Sequence, residues 1–184
     1  MKKVNFRAIL TSVAVFFALL YPTARALPAE SGPVPSAVIA CEGSVYTIDT
    51  DPKGTNVRSA PDKNSPVLEV IPYDFEGTEA ELAGSLGDWV LIRSAQGATT
   101  GFVLQKKGWV YASLLAVRAV HPSGRKVALY SEPDTGGPVV KMVTGDTEAG
   151  LEGCTGHWMR VRIGKEKGWL AWGDHCGNPV TTCP

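Results

Sequence analysis

No stretch beyond residue 26 keeps helical periodicity over three turns, which excludes a helical bundle. Histidine is scarce: His121, His157 and His175 are the 3 in the chain, and they lie at a linker or beside cysteines. No Ser-His-Asp arrangement can be argued from them. Phosphate loops of the Walker type and dinucleotide fingerprints are absent as well. Charge of one sign is not in excess, since 18 Lys and Arg stand against 18 Asp and Glu. The one long apolar run, Ala8 to Tyr21, falls short of the roughly 20 residues needed to span a bilayer, and Pro22 ends it.

That run reads instead as the core of a signal peptide. Lys2, Lys3 and Arg7 precede it, and Ala24-Arg25-Ala26 offers small residues where a signal peptidase reads. Cleavage after Ala26 removes four cations (Lys2, Lys3, Arg7, Arg25) and no acids, so 14 cations face 18 acids and the net charge becomes −4. An acidic mature chain argues against a nucleic-acid partner, which calls for a concentrated basic footprint. The expectation is export, to the periplasm or the extracellular space, with no membrane span after cleavage. Val38-Ile39-Ala40-Cys41 loosely resembles a lipoprotein signal, but it lies too far beyond the apolar core.

What is present is a repeat. Asn56-Val57-Arg58-Ser59-Ala60-Pro61 alternates apolar and polar residues and closes on a turn-forming sequence. An echo, Ala128-Leu129-Tyr130-Ser131-Glu132-Pro133, lies 72 residues on, from Ser59 to Ser131. Each copy is followed by a Pro-Val pair (Pro66-Val67, Pro138-Val139), a tryptophan strand (Trp89, Trp158) and a Gly-Trp strand (Gly108-Trp109, Gly168-Trp169). Asp51-Pro52-Lys53-Gly54 predicts a turn, Ala112 to Leu115 a single 3₁₀ turn, and His121-Pro122-Ser123-Gly124 a boundary. Glu76 to Glu81 reads as a solvated acidic stretch, with Leu82 to Asp88 turning into a hairpin. Short strands between Gly/Pro turns predict an all-β protein.

The run Asn56 to Pro61, with Gly87-Asp88-Trp89-Val90-Leu91-Ile92 and Gly108-Trp109-Val110, resembles the bacterial SH3 (SH3b) family. The second copy is similar through Gly156-His157-Trp158-Met159-Arg160-Val161 and Gly168-Trp169-Leu170, but Ala-Leu-Tyr-Ser replaces the Asn-Val-Arg-Ser opening. The first copy carries extra residues between Arg93 and Gly108. The resemblance implies two tandem small SH3-like β-barrels. The expected layout is a signal peptide at 1–26, a linker or N-terminal arm at 27–43, a first domain at 44–120, and a second at 124–184 with a cysteine-held tail. It also implies a binding module, often directed at peptidoglycan or its peptide stems, and the missing catalytic motifs make the expected module non-catalytic. The alternative is a protein–protein interaction module or inhibitor subunit of a cell-envelope complex. An exposed unpaired strand edge would favour that alternative.

Arg58 sits where the family pattern has its arginine, and a guanidinium can grip a carboxylate with two parallel hydrogen bonds. The plainer role is a hydrogen bond to a turn carbonyl or a local ion pair. Tyr73, Trp109 and Tyr111 join Arg58 as candidate ligand-binding residues, with Trp169 and Trp172 as further groove candidates; Trp89 and Trp158, inside apolar strands, read as core. Cys41, Cys154, Cys176 and Cys183 are disulfide candidates in an exported chain, with Cys154 paired to Cys176 or Cys183 preferred. A zinc site from Cys154, His157, His175 and Cys176 is disfavoured, because export oxidises thiols. A Cys-His nucleophile would need a papain-like domain that no segment here supplies. Neither cofactor nor resident metal is expected.

Overall fold

The computed structural model describes residues 37–180. The expected signal peptide at 1–26, the arm up to residue 36, and Cys183 lie outside the described residues.

The chain is all-β. The first half comprises β1 (Ser44–Thr47), β2 (Thr55–Arg58), β3 (Val67–Ile71), β4 (Thr78–Leu86), β5 (Trp89–Gly97) and β6 (Gly108–Tyr111), then a 3₁₀ turn Ala112–Leu114 and β7 (Leu115–Ala119). The second comprises β8 (Val127–Tyr130), β9 (Val139–Val143), β10 (Thr147–Thr155), β11 (Trp158–Ile163), β12 (Glu166–Leu170) and β13 (His175–Cys176). The predicted turn at 51–54 closes by a hydrogen bond from Gly54 N–H to the Asp51 carbonyl (2.8 Å), with Gly54 at φ 81°. The 3₁₀ turn lies where it is expected. The hairpin expected over 82–88 is present, with Leu86 opposite Trp89 across Gly87-Asp88, whereas the stretch read as solvated, 76–81, runs from Thr78 into β4. Its Thr78, Ala80, Leu82 and Ser85 are buried, and the acids Glu79 and Glu81 alternate with them on the other face.

Two separate barrels were expected, and here the structure corrects the sequence reading. The strands join into one 13-stranded sheet that runs β3-β2-β6-β5-β4-β1-β7-β10-β11-β12-β8-β9, with β13 on β7. The order is a palindrome of equivalent strands about the β1–β7 pair. Register explains the fusion. Ala116 of β7 pairs with Tyr46 of β1 and with Gly150 of β10. Ala119 pairs with Thr147 of β10 and with His175 of β13. A strand has only two edges, so β1 and β13 divide one edge of β7 and β10 takes the other. β7 thus closes the first repeat as β13 closes the second, and also opens the second repeat as β1 opens the first. Four of its five residues are buried, and a single hydrophobic cluster contains Val45, Leu82 and Val110 together with Leu151, Val161 and Leu170.

The arm adds a second tie. Ile39 exchanges two backbone hydrogen bonds with Ser85 (2.9 and 2.8 Å), while Glu42 N–H donates to Gly156 (2.7 Å) and Gly156 N–H donates to Ala40 (3.0 Å). Residues 39–42 are therefore a strand-like arm that covers one hairpin end from each repeat. Cys41 forms its disulfide with Cys154, Cα–Cα 5.8 Å. This corrects the preferred pairing of Cys154 with the tail: the parallel approach of Cys41 to Gly156 puts the arm cysteine beside β10 first. Cys176 is also oxidised.

The Gly-Trp signature has a steric cause that operates twice. A Cβ on Gly108 would lie 2.7 Å from the Arg58 carbonyl oxygen and 2.6 Å from a Val57 methyl. One on Gly168 would lie 2.6 Å from the Tyr130 carbonyl oxygen and 2.6 Å from Leu129. The backbone beside each glycine cannot retreat without breaking the pairing of β2 or β8. Gly108→Ala and Gly168→Ala are each expected to cost about 3 kcal/mol, the upper range for overpacking a buried site. Urea unfolding measures this, and a loss below about 1 kcal/mol would contradict the close approach.

Candidate functional site

A groove of about 700 Å³ opens on the first repeat. Its apolar wall is an aromatic pair. Trp89 begins β5 and Tyr111 ends β6, and antiparallel register sets them opposite each other. Their rings meet edge to face at 5.4 Å and 71°, a favourable arrangement for two quadrupoles. Tyr111 is 40% exposed and Trp89 is half-buried, so both present ring surface to a ligand. The polar wall comes from two turns: Asp49 and Asp51 before β2, and Asp62 and Lys63 after it. Asp51 and Asp62 each accept a hydrogen bond on Oδ1 from the backbone N–H two residues on, Lys53 (2.9 Å) and Asn64 (2.9 Å) respectively. Short acidic side chains build turns in this way, and here the turn bonds use only Oδ1 of each.

Arg58 lines the groove at the end of β2, and Nη1 donates to the Ser65 carbonyl at 2.8 Å. The plainer role assigned to it is thus present: it braces the loop 59–65, which Ser65 Oγ also closes by donating to Ala60 (2.9 Å) and Asp62 (2.7 Å) carbonyls. Trp109 does not reach the groove. It is 8% exposed, with Arg58 and Leu91 as its cross-strand neighbours. The roles expected for the two tryptophans are therefore exchanged, with Trp109 covered and Trp89 in the groove. The sequence did carry a signal: Trp89 directly follows Gly87-Asp88, so it opens its strand at a hairpin end, where neighbours cover only one side. The turn acids had none beyond their turn chemistry.

Tyr73 lines a different cavity, about 620 Å³, with Phe75, Arg118 and Glu148. Beside it, buried Asp74 accepts hydrogen bonds from Thr99 N–H (2.8 Å), Thr99 Oγ1 (2.7 Å), Thr100 N–H (3.2 Å) and Glu76 N–H (3.1 Å). Burial alone would raise this carboxyl, but the hydrogen bonds outweigh it and bring its pKa down to about 2. Asp74 thus anchors the extra residues that distinguish the first repeat. Their far end is held by Glu69, which accepts from Gln105 N–H (3.1 Å) and Lys106 N–H (3.1 Å).

Comparison with protein-family models matches residues 53–116 to a bacterial SH3 domain and residues 123–173 to a second bacterial SH3 domain. The chain belongs to the bacterial SH3 family, in two tandem copies. Among solved structures it is similar to NlpC1 from Trichomonas vaginalis, at 13% identity and TM-score 0.31 over 76% of this chain and 47% of that one. It is similar also to NlpC2 from the same organism, at 12% identity and TM-score 0.30 over 74% and 48%. The chain spans about half the length of each. No curated protein matches it.

The second SH3 domain keeps the tryptophan but rebuilds what surrounds it. Tyr130 pairs with Trp169 as Arg58 pairs with Trp109, so a tyrosine stands at the arginine's position. Its ring meets Trp158 edge to face at 5.8 Å and 86°. Buried Ala171 replaces Tyr111 at the end of the Gly-Trp strand. Trp172 is exposed, 4.8 Å from the His157 ring and 6.3 Å from His175. Burial lowers the His175 pKa, so that imidazole is neutral at neutral pH. Cys154 is spent in its disulfide, which removes a thiolate from the cysteine–histidine set. Among the described residues no helix is long and apolar enough to cross a membrane.

Proposed function

We propose that this chain is a non-catalytic exported binding module that recognises cell-wall peptide, held in the groove of the first SH3 domain. The observation that carries the reading is the aromatic pair Trp89–Tyr111 set beside Arg58 in a groove of about 700 Å³, a volume suited to a short peptide. Family membership supports a cell-wall target, and the Cys41–Cys154 bridge fits an oxidising compartment, periplasmic or extracellular. The ligand's apolar body rests on the two rings, and Arg58 offers a guanidinium to a carboxylate or amide oxygen.

Co-sedimentation with purified peptidoglycan tests this. The folded chain is expected to pellet with the sacculi, and Trp89→Ala to reduce retention about tenfold, a common cost of truncating a central aromatic anchor. Trp172→Ala, on the exposed second-domain tryptophan, is expected to leave retention unchanged. Absence of retention by the unmodified chain would overturn the reading.

A second reading, a subunit or inhibitor within an envelope complex, is favoured by the sheet's two ends. Val67, Leu68 and Val70 on β3, and Val139, Val140 and Met142 on β9, are exposed on the terminal strands. Such edges can accept a partner strand. Retention on peptidoglycan that survives Trp89→Ala but fails when protein is stripped from the sacculi would favour it.

A further inference from the structure

Tyr111 lines two cavities. The second is smaller, about 220 Å³, and is bounded by Asp88 and Ser113 of the first domain and by Glu152, Arg160, Arg162 and Lys167 of the second. The two cavities differ in sign. Three carboxylates (Asp49, Asp51, Asp62) face two cations (Arg58, Lys63) in the groove, whereas three cations face two carboxylates (Asp88, Glu152) in the smaller cavity.

Glu152 is the hub of the cationic side. Its largely buried carboxylate takes Arg162 Nη2 at 2.5 Å and Nε at 2.9 Å, and Lys167 Nζ at 2.8 Å. Arg160 Nε stands off at 3.7 Å, too far for a hydrogen bond. Burial alone would raise the Glu152 carboxyl, but the hydrogen bonds from Lys167 and Arg162 hold it below the ordinary glutamate value. One carboxylate cannot satisfy two guanidinium forks and an ammonium, and all three cations remain about half exposed.

The fold does not require this cluster. Glu152 occupies the irregularity in β10 between Leu151 and Gly153, and its equivalent in β4, between Leu82 and Gly84, is Ala83. Arg160, opposite Gly153, corresponds to Leu91, opposite Gly84. A bulge re-aims a side chain, and only the second domain uses it to gather charge. Because β7 fuses the two domains, the cluster stays beside Tyr111 without an interdomain hinge.

We propose that the smaller cavity is an anion subsite and that both cavities hold one extended, zwitterionic peptide. Its carboxylate sits at Arg160 and Lys167, its apolar body lies across Tyr111 and Trp89, and its ammonium group lies beside Asp51 and Asp62. This rests on the peptide-binding reading above and deepens it by assigning polarity to the ligand.

The test uses the full chain and two probes: a purified stem tetrapeptide with a lysine side chain and a free C-terminal carboxylate, and the same peptide as its C-terminal amide. By calorimetry the acid is expected to bind about tenfold tighter than the amide, the scale of one charge-assisted contact. Arg160→Gln with Lys167→Gln is expected to abolish that preference, so that acid and amide bind with equal affinity. Lys167→Gln alone, which leaves Arg162 on Glu152, is expected to reduce the preference in part and guards against loss of fold in the double variant. Equal affinity of the unmodified chain for acid and amide, or a preference that survives the double substitution, overturns the anion subsite while peptide binding stands. Failure of the unmodified chain to bind either peptide overturns both.

Discussion

Replacing Cys41 and Cys154 together with serine is expected to lower the stability of the oxidised protein by about 4–5 kcal/mol, the chain-entropy value for a closed loop of this length. The bridge spans a sequence separation of 113 residues, so the unfolded chain with it intact has lost much of its freedom. It also pins the arm whose backbone joins Ser85 of the first domain to Gly156 of the second. Both cysteines lie in the shared hydrophobic cluster, at 2% exposure each, so serine adds the cost of two buried hydroxyls. Urea denaturation of the oxidised protein against the double variant measures the effect, with circular dichroism as the probe. Reduction of the unmodified protein with dithiothreitol should cost at least as much, because it also opens the disulfide of Cys176. A difference below about 1 kcal/mol would mean that the arm contributes little.

The second large effect concerns β7. Val117→Asp is expected to destabilise the protein by about 4 kcal/mol or more, because it buries a carboxylate without a partner. Its consequence reaches both domains. Val117 is fully buried and pairs with Ala149 of β10 in a strand that also holds β1 and β13. The unmodified protein is accordingly expected to unfold in one calorimetric transition, with equal van't Hoff and calorimetric enthalpies. Tryptophan fluorescence should report the same midpoint for Trp89 and Trp158 in single-tryptophan variants. Two resolved transitions, or a second domain that stays folded in Val117→Asp, would contradict the shared strand.

Ligand binding should couple to the same equilibrium. A peptide held by Trp89 and Tyr111 on one domain and by Arg160 and Lys167 on the other stabilises the fused unit by mass action, so the midpoint should rise with peptide concentration. A site confined to the first domain would raise it too. Only the acid-over-amide preference separates the two cases.

Particular residues show how far the sequence could be read. Asn56-Val57-Arg58 and the two Gly-Trp pairs declare their strands because local rules govern them: alternation for one face buried, and glycine where a neighbouring carbonyl leaves no room for Cβ. Glu76 to Glu81 misled because β4 is amphipathic, and its acids occupy the solvent face of a strand whose other face is core. Trp89 and Trp109 exchanged roles for a related reason. Each sits in an apolar run, and what covers an aromatic is decided by the neighbouring strand and by its distance from the strand's end.

By itself the sequence determined that the chain is all-β, that it repeats, and that each repeat is built around a tryptophan strand and a Gly-Trp strand, because those features depend on residues close together in the chain. The tertiary structure alone decided that β7 serves both domains, that Cys41 meets Cys154, and that Arg160 and Lys167 stand beside Tyr111. Each of these depends on which segments far apart in the chain become neighbours. Alternation tells which residues share a face of a strand, but it carries no information about which strand lies along each edge.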